Sequence, residues 1–253
     1  VSSVEPASKR ELADHFSTDR ITHLYALADL DEPYWSASTW YRRDGLYVGI
    51  VSAGSDWETG YAMTTDRVDE ALALMVEVGE GLDPGVWITG PAGLEAAFAG
   101  VRDVDPKGLH HRMILRHPDR LMDDDGCRPL GSDDLSAIGE LIDAAPGAVF
   151  FQASMLDGGC WLGVFEADRL VAMAGTHVVS DHWGVAAIGG VLTHPDHRGR
   201  GLAARTTSAV ALRLRDRVDL IGLNVAADNR VAVRLYERLG FVAAIDFEEI
   251  ELR

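Results

Sequence analysis

Apolar and polar positions recur on two different spacings along this sequence, and the changes of spacing divide it into elements. In the first half the pattern predicts a helical stretch over residues 10–30, a strand over 46–53, a helix over 66–78, and short strands near Val86 and over 109–115. That order suggests an α/β layer. The second half is clearer. It reads as a helix over 133–144, an amphipathic piece over 150–156, and a strand over 161–165. Ala167 and Asp168 then turn the chain into a strand over 170–179, and residues 180–184 turn it again into a strand over 185–193, giving three consecutive antiparallel strands. A helix over 199–218, a buried strand over 220–225, a helix over 228–239 and a closing strand over 241–252 complete the pattern.

Residues 122–134, MDDDGCRPLGSDD, are charged, contain Gly and Pro and lack apolar periodicity, so they read as a linker. The expected organisation is an N-terminal α/β accessory domain over 1–125 and a second domain over 126–253. No internal repeat is visible. The turn TGPAG, residues 89–93, lies between a strand and a helix but has no Lys or GxGxxG beside it, and it reads as a turn only.

Composition narrows the function classes. With 47% apolar residues the 253-residue chain can build a real core, and no apolar run approaches the length of about twenty residues that a bilayer requires. No membrane partner is expected, and the cytoplasm is the expected location. The net charge of −17 opposes attraction to nucleic acid, so none is expected as a partner. Cys127 and Cys160 match no metal-ligand spacing, and no metal is expected. Residues 1–126 carry 11 basic and 23 acidic groups against 12 and 17 in residues 127–253. Six arginines nevertheless crowd into residues 198–217, which marks that stretch as the place to look for an anion, although Arg213, Arg215 and Arg217 read as a solvated helix face.

The most informative segment is VLTHPDHRGRGLAARTTSAV, residues 191–210. A strand ends, Pro195 stops it, and Gly199 and Gly201 open a long helix. Glycine lets backbone approach an anion closely, and the first N–H groups of the helix have no intrahelical acceptor. The helix dipole adds roughly half a positive charge there and Arg198 and Arg200 add whole ones, so a diphosphate suits the place. The second signal is NVAADNRVAVRLYERLGF, residues 224–241. Ala232, Leu235, Tyr236 and Leu239 share one face of a short helix, Asp228 or Asn229 caps its start, and Gly240 ends it. Taken alone, Tyr236 reads as a half-buried packing aromatic.

Together the two segments resemble the GCN5-related N-acetyltransferase (GNAT) superfamily, and AGTHVVS followed by IGGVLTHPDHRGRGLA looks like its FR47-like branch, which is similar to glycine N-acyltransferases. The phosphate motif RxxGxA is met by Arg198, Gly201 and Ala203, and the motif NxxAxxLYExxGF by Asn229, Ala232, Leu235, Tyr236, Glu237, Gly240 and Phe241. The resemblance implies an α/β (α+β) fold with a central mixed, mostly antiparallel sheet flanked by helices. The first half lacks both motifs and reads as accessory, a degenerate copy of the same fold being one form it could take.

The resemblance further implies acetyl-coenzyme A (CoA) as co-substrate. Val191, Leu192 and Thr193 would splay from the neighbouring strand and hydrogen-bond the pantetheine arm, while Gly199, Arg200, Gly201, Leu202, Ala203 and Ala204, with Arg198 and Asn229, would hold the phosphates. A neutral amine would then attack the thioester directly. Tyr236 is the expected proton donor to the departing thiolate, since a tyrosine stays protonated at neutral pH. Many relatives place a glutamate on one of the strands flanking the splay. Here residues 185–193 hold no carboxylate, and Asn224, at the corresponding place in the other strand, can orient but not accept a proton. His177, His182 and His194 remain as possible bases, His177 first because it ends a central strand. The acceptor is expected to be a small-molecule or peptide amine; the acid-rich first half would favour a cationic one. The rival expectation is a non-catalytic acyl-CoA binding or regulatory module. A nucleoside triphosphate site is disfavoured, because HRGRGLA has no Lys followed by Ser or Thr.

Overall fold

A computed structural model describes residues 3–52, 58–145, 150–158 and 160–253. The chain opens with β1 (Glu5–Pro6), α1 (Lys9–Phe16) and α2 (Leu24–Ala28). Ser8 starts α1 with a capping box: its hydroxyl accepts from the Glu11 N–H while the Glu11 carboxylate accepts from the Ser8 N–H. The single helix expected over 10–30 is instead broken between α1 and α2. Thr18 Oγ1 donates to the His15 carbonyl at 2.6 Å, and the Asp19 carboxylate accepts from Thr22 N–H and Oγ1 at 3.1 and 2.6 Å. Such short polar side chains offer the backbone a local alternative to the helix.

There follow β2 (Ser38–Arg43), β3 (Leu46–Ser52), β4 (Glu58–Tyr61), α3 (Val68–Gly79), β5 (Trp87–Gly90), α4 (Leu94–Phe98) and β6 (Val104–Leu115). β2 and β4 were not expected, since STWYRR and ETGY carry too few apolar positions to signal a strand. The end of the strand expected at residue 53 lies outside the described residues. β7 (Cys127–Pro129) lies inside the segment read as a linker, and α5 (Leu135–Ala144) and α6 (Met155–Gly158) come next. β8 (Leu162–Glu166), β9 (Arg169–Ser180) and β10 (Val185–Thr193) lead to α7 (Leu202–Leu214), β11 (Leu220–Ala226), α8 (Arg230–Arg238) and β12 (Phe241–Leu252). The helix expected over 199–218 is shorter at both ends. Gly199 and Gly201 take left-handed backbone, φ +74° and +76°, and so belong to the loop before it.

The chain divides into two compact units. The first comprises Val1–Arg112, Val225–Asn229 and Ala243–Arg253; the second comprises Met113–Asn224 and Arg230–Val242. In the first, β1, β2, β3 and β4 pair antiparallel in that order, β4 pairs parallel with β5, and residues 248–251 of β12 pair antiparallel with β5. Its core gathers Val48, Leu74, Met75, Ile88, Leu94 and Phe98 together with Ile250 and Leu252, all nearly or fully buried. The last strand of the chain therefore finishes the core of the first unit.

In the second unit β7, β8, β9 and β10 pair antiparallel and β10 pairs parallel with β11. Helices cover both faces. Leu130, Ile138, Leu141, Met155, Trp161, Leu170 and Met173 pack on the side of α5 and α6. Val164, Val171 and Ala172 pack under Leu202 of α7. Met122 N–H donates to Ser208 Oγ, tying the segment before β7 to α7. The order of three antiparallel strands, helix, parallel strand, short helix and strand occurs twice, as β2–β3–β4–α3–β5–α4–β6 and as β8–β9–β10–α7–β11–α8–β12. This is the mixed α/β fold that the sequence motifs imply.

Candidate functional site

Three features of the second unit meet at the C-terminal end of β10. The first is a strand pair that stops pairing. The parallel ladder between β10 and β11 runs from Val185↔Leu220 to Ile188↔Leu223 and has no further rung, while β10 continues for five more residues to Thr193. On its other edge β10 stays paired with β9 through Thr193↔Ala172. Among the described residues, main-chain groups of residues 189–193 that face away from β9 are thus left without a partner in the β11 ladder, and backbone polar groups need one. Val191, Leu192 and Thr193 are half-buried here, and Thr193 Oγ1 is enclosed with no hydrogen-bond partner among the described residues.

The second feature is a bulge that turns the strand. The β9–β10 register slips between Gly189 and Leu192, and again where Thr176 and Val178 of β9 face Ile188 and Ala187, leaving His177 as the extra residue. Two rings lie flat on the glycines. A Cβ on Gly189 would sit 2.2 Å from His177 Nε2, and one on Gly190, whose φ is +59°, would sit 2.3 Å from the Trp161 ring. Only glycine fits either place. His177 Nε2 is enclosed and unpartnered among the described residues, and burial pushes the imidazole from 6.5 down to about 4. Its ring meets Phe150 edge-on at 6.1 Å, as Trp161 meets Phe151 at 5.0 Å.

The third feature is the loop itself. After a turn of 3-10 helix at Pro195–His197 the chain passes Gly199 and Gly201 into α7, whose start has no side-chain cap. A Cβ on either glycine would meet nothing within 4 Å, so both backbones face open space. The first internal bond of α7 runs from Arg205 N–H to the Gly201 carbonyl, and Leu202, Ala203 and Ala204 supply the free turn of amides before it. No acidic residue lies in that first turn. Arg198 is exposed, with its Nε–H 3.4 Å from the Thr193 carbonyl, and Arg200 donates to both oxygens of Glu166 at 2.6 and 3.1 Å.

Tyr236 lies on the inward face of α8, 7% exposed, with its ring 6.1 Å from Phe241, and burial pushes its hydroxyl from 10.0 up to about 12. Asn224 is half-buried near the end of β11, just past the last rung with β10. Asn229 belongs to the first compact unit and Arg230, the first residue of α8, to the second. His182 is exposed, in the turn between β9 and β10, and His194 is 6% exposed at the end of β10. Trp161 and the Gly189–Gly190 pair belong to neither of the two sequence motifs. Two adjacent glycines inside a strand do signal a bulge or a close approach, and that signal was present.

The first unit offers a contrast at the corresponding place. There the β4–β5 ladder runs to the end of β4 at Tyr61↔Thr89, and Ala62 N–H extends it to the Thr89 carbonyl at 3.0 Å. Its helix α3 follows Arg67 rather than glycine, and Asp69 and Glu70 occupy the first turn. That end repels an anion.

An open-edged strand running into an uncapped glycine loop sets the second unit, a mixed α/β domain, apart from the first. Residues 133–241 match the profile of the acetyltransferase (GNAT) family, and this part of the chain is a GNAT acetyltransferase-family domain. A solved GNAT-family protein from Novosphingobium aromaticivorans is 26% identical over 81% of this chain and 87% of its own, with a TM-score of 0.60. A Drosophila protein superposes over 100% of this chain and 99% of its own at a TM-score of 0.71 and 16% identity. A tandem GNAT protein from the clavulanic acid biosynthesis pathway does so over 99% and 98% at 0.55 and 14%. At such identities the last two speak to fold alone, and they cover both units. No curated protein is similar enough to match. Among the described residues no helix is long and apolar enough to cross a membrane, and no group of three or more His, Cys, Asp or Glu side chains is arranged to hold a metal ion.

Proposed function

We propose that the second unit transfers an acetyl group from acetyl-CoA to a small-molecule or peptide amine by direct attack. The observation that carries this reading is the coincidence of an unpaired β10 edge with a glycine loop and helix start that lack acidic and capping side chains. In it the main chain of Val191, Leu192 and Thr193 bonds the pantetheine amides. The amides from Gly199 to Ala204, with Arg198 and Arg200, take the diphosphate.

The amine lone pair forms the new C–N bond, the C–S bond breaks, and two protons move. Tyr236 gives its proton to the leaving thiolate. Burial suits it to that task, because a hydroxyl pushed to about 12 remains protonated at any working pH. The ammonium proton needs an acceptor. His177 is neutral under the same conditions and can accept, but an imidazole pushed to about 4 is a weak base, which restricts it to an amine that is itself weakly basic or relayed through water. Asn224 orients that amine or water.

One observation favours a second reading, an acyl-CoA binding module without turnover: β10 carries no carboxylate, and the imidazole at its bulge is weakly basic. Thiol release from acetyl-CoA, followed across a panel of primary and secondary amines, tests both. Amine-dependent release supports the transferase, whereas tight acetyl-CoA binding with no release above hydrolysis for any amine supports the module.

A further inference from the structure

Around the foot of the diphosphate loop five charged or imidazole side chains from two segments bond to one another in a line. Glu166 ends β8 and Arg169 begins β9; between them Ala167 and Asp168 both have left-handed backbone, φ +47° and +65°. That conformation costs a residue with a Cβ about 1–2 kcal/mol, so the surroundings must hold the turn in place. They hold it from both flanks. Arg169 Nη2 lies 2.8 Å from His194 Nε2, and Glu166 receives the paired bonds of Arg200. His194 Nδ1 lies 3.4 Å from His197 Nδ1, and His197 Nε2 lies 3.5 Å from the Glu166 carboxylate. His194 is nearly buried, and its backbone N–H donates to the Val171 carbonyl at 2.9 Å, so its ring stands fixed where β10 becomes the loop.

Two donors face the His194 ring: Arg169 Nη2, 2.8 Å from Nε2, and the Asp196 backbone N–H, which donates to Nδ1 at 3.3 Å. A neutral imidazole accepts at one nitrogen only, so the two compete. The expected winner is the shorter bond from the charged donor, which leaves Nε2 bare and puts the ring proton on Nδ1, 3.4 Å from His197 Nδ1, at the expense of the Asp196 contact.

We propose that Arg169, His194, His197 and Glu166 are positioning residues for the diphosphate loop. They join the β8–β9 turn to residues 194–200 and so set the aim of the loop amides and of Arg200 before the ligand arrives. Donors already in place need no reordering on binding, which is how such a scaffold raises affinity. The inference rests on the reading that this loop takes the CoA diphosphate.

The test uses the full chain and Arg169→Leu and Arg169→Lys variants. It combines calorimetry with CoA, acetyl-CoA kinetics at fixed amine, and nitrogen NMR of labelled histidine. The parent should show His194 as a single tautomer with a bare Nε2. Arg169→Leu should lose that tautomer and weaken CoA by about tenfold, falling on KM for acetyl-CoA more than on kcat, and Arg169→Lys should recover part of both. Leucine binding CoA as tightly as the parent overturns the proposal. So does a parent His194 with its proton on Nε2, a result that stands even if the leucine variant fails to fold. A parent that shows the bare Nε2 but binds no CoA removes the loop reading, and the proposal with it.

Discussion

Tyr236 and His177 are both shifted by burial, in opposite directions, and each shift has a measurable consequence. Tyr236→Phe keeps the ring against Phe241 and removes only the hydroxyl. Steady-state kinetics should show kcat falling by about 10²-fold or more with CoA affinity unchanged. For His177 the folded state binds a proton more weakly than the unfolded chain does. Between pH 6.5 and about 4 the unfolded chain therefore holds more protons, and stability drains away as pH falls through that window. His177→Gln should remove part of this loss: denaturant midpoints at pH 7.5 and 4.5 should lie closer together than in the parent. An equal or larger gap would show that the imidazole is not the group that titrates. The inward placement of Tyr236 was legible from the helical spacing that it shares with Ala232, Leu235 and Leu239. The burial of His177 Nε2 was not: the adjacent glycines at 189 and 190 signal that something approaches β10 closely, but which side chain does so depends on the bulged register of β9.

At the scale of elements, the legible ones had strong apolar periodicity or glycine punctuation. The loop after Pro195, the stop at Gly240 and the three strands from β8 to β10 are of this kind. What escaped was decided by partners distant in sequence. β2 and β4 are strands because β3 pairs with both of them, and the split between α1 and α2 follows from hydroxyl and carboxylate bonds that a periodicity cannot weigh. Two glycine positions test the packing argument. Gly240 has φ +94°, and a Cβ there would lie 2.1 Å from the His117 carbonyl oxygen. Gly240→Ala should therefore cost about 2–5 kcal/mol, read from denaturant unfolding. The converse holds at Ala167, where glycine would relieve left-handed strain; Ala167→Gly should stabilise by about 1 kcal/mol. A loss of stability there would mean that the alanine side chain contributes more than the turn conformation costs.

On the scale of the whole molecule the order of elements repeats, and among the described residues the strand that outruns its parallel ladder is β10 of the second copy, not β4 of the first. The two copies differ in sequence at the helix start: Gly199 and Gly201 precede α7, whereas Arg67 precedes α3 and Asp69 and Glu70 follow it. The charged segment 122–134 suggested a boundary; residues 113–124 pack with the second unit, and residues 243–253 return to the first. Ile250 is fully buried in the first unit's core, so Ile250→Ala should destabilise that unit by about 2–5 kcal/mol, seen as early loss of amide protection in α3 and β3. In the proposed function the loop before α7 and the free edge of β10 together take one acetyl-CoA. Calorimetric titration of the full chain with acetyl-CoA at two salt concentrations should then give one equivalent per chain, with affinity falling as salt screens the exposed arginines; no heat at either concentration, or two equivalents per chain, would rule that binding mode out.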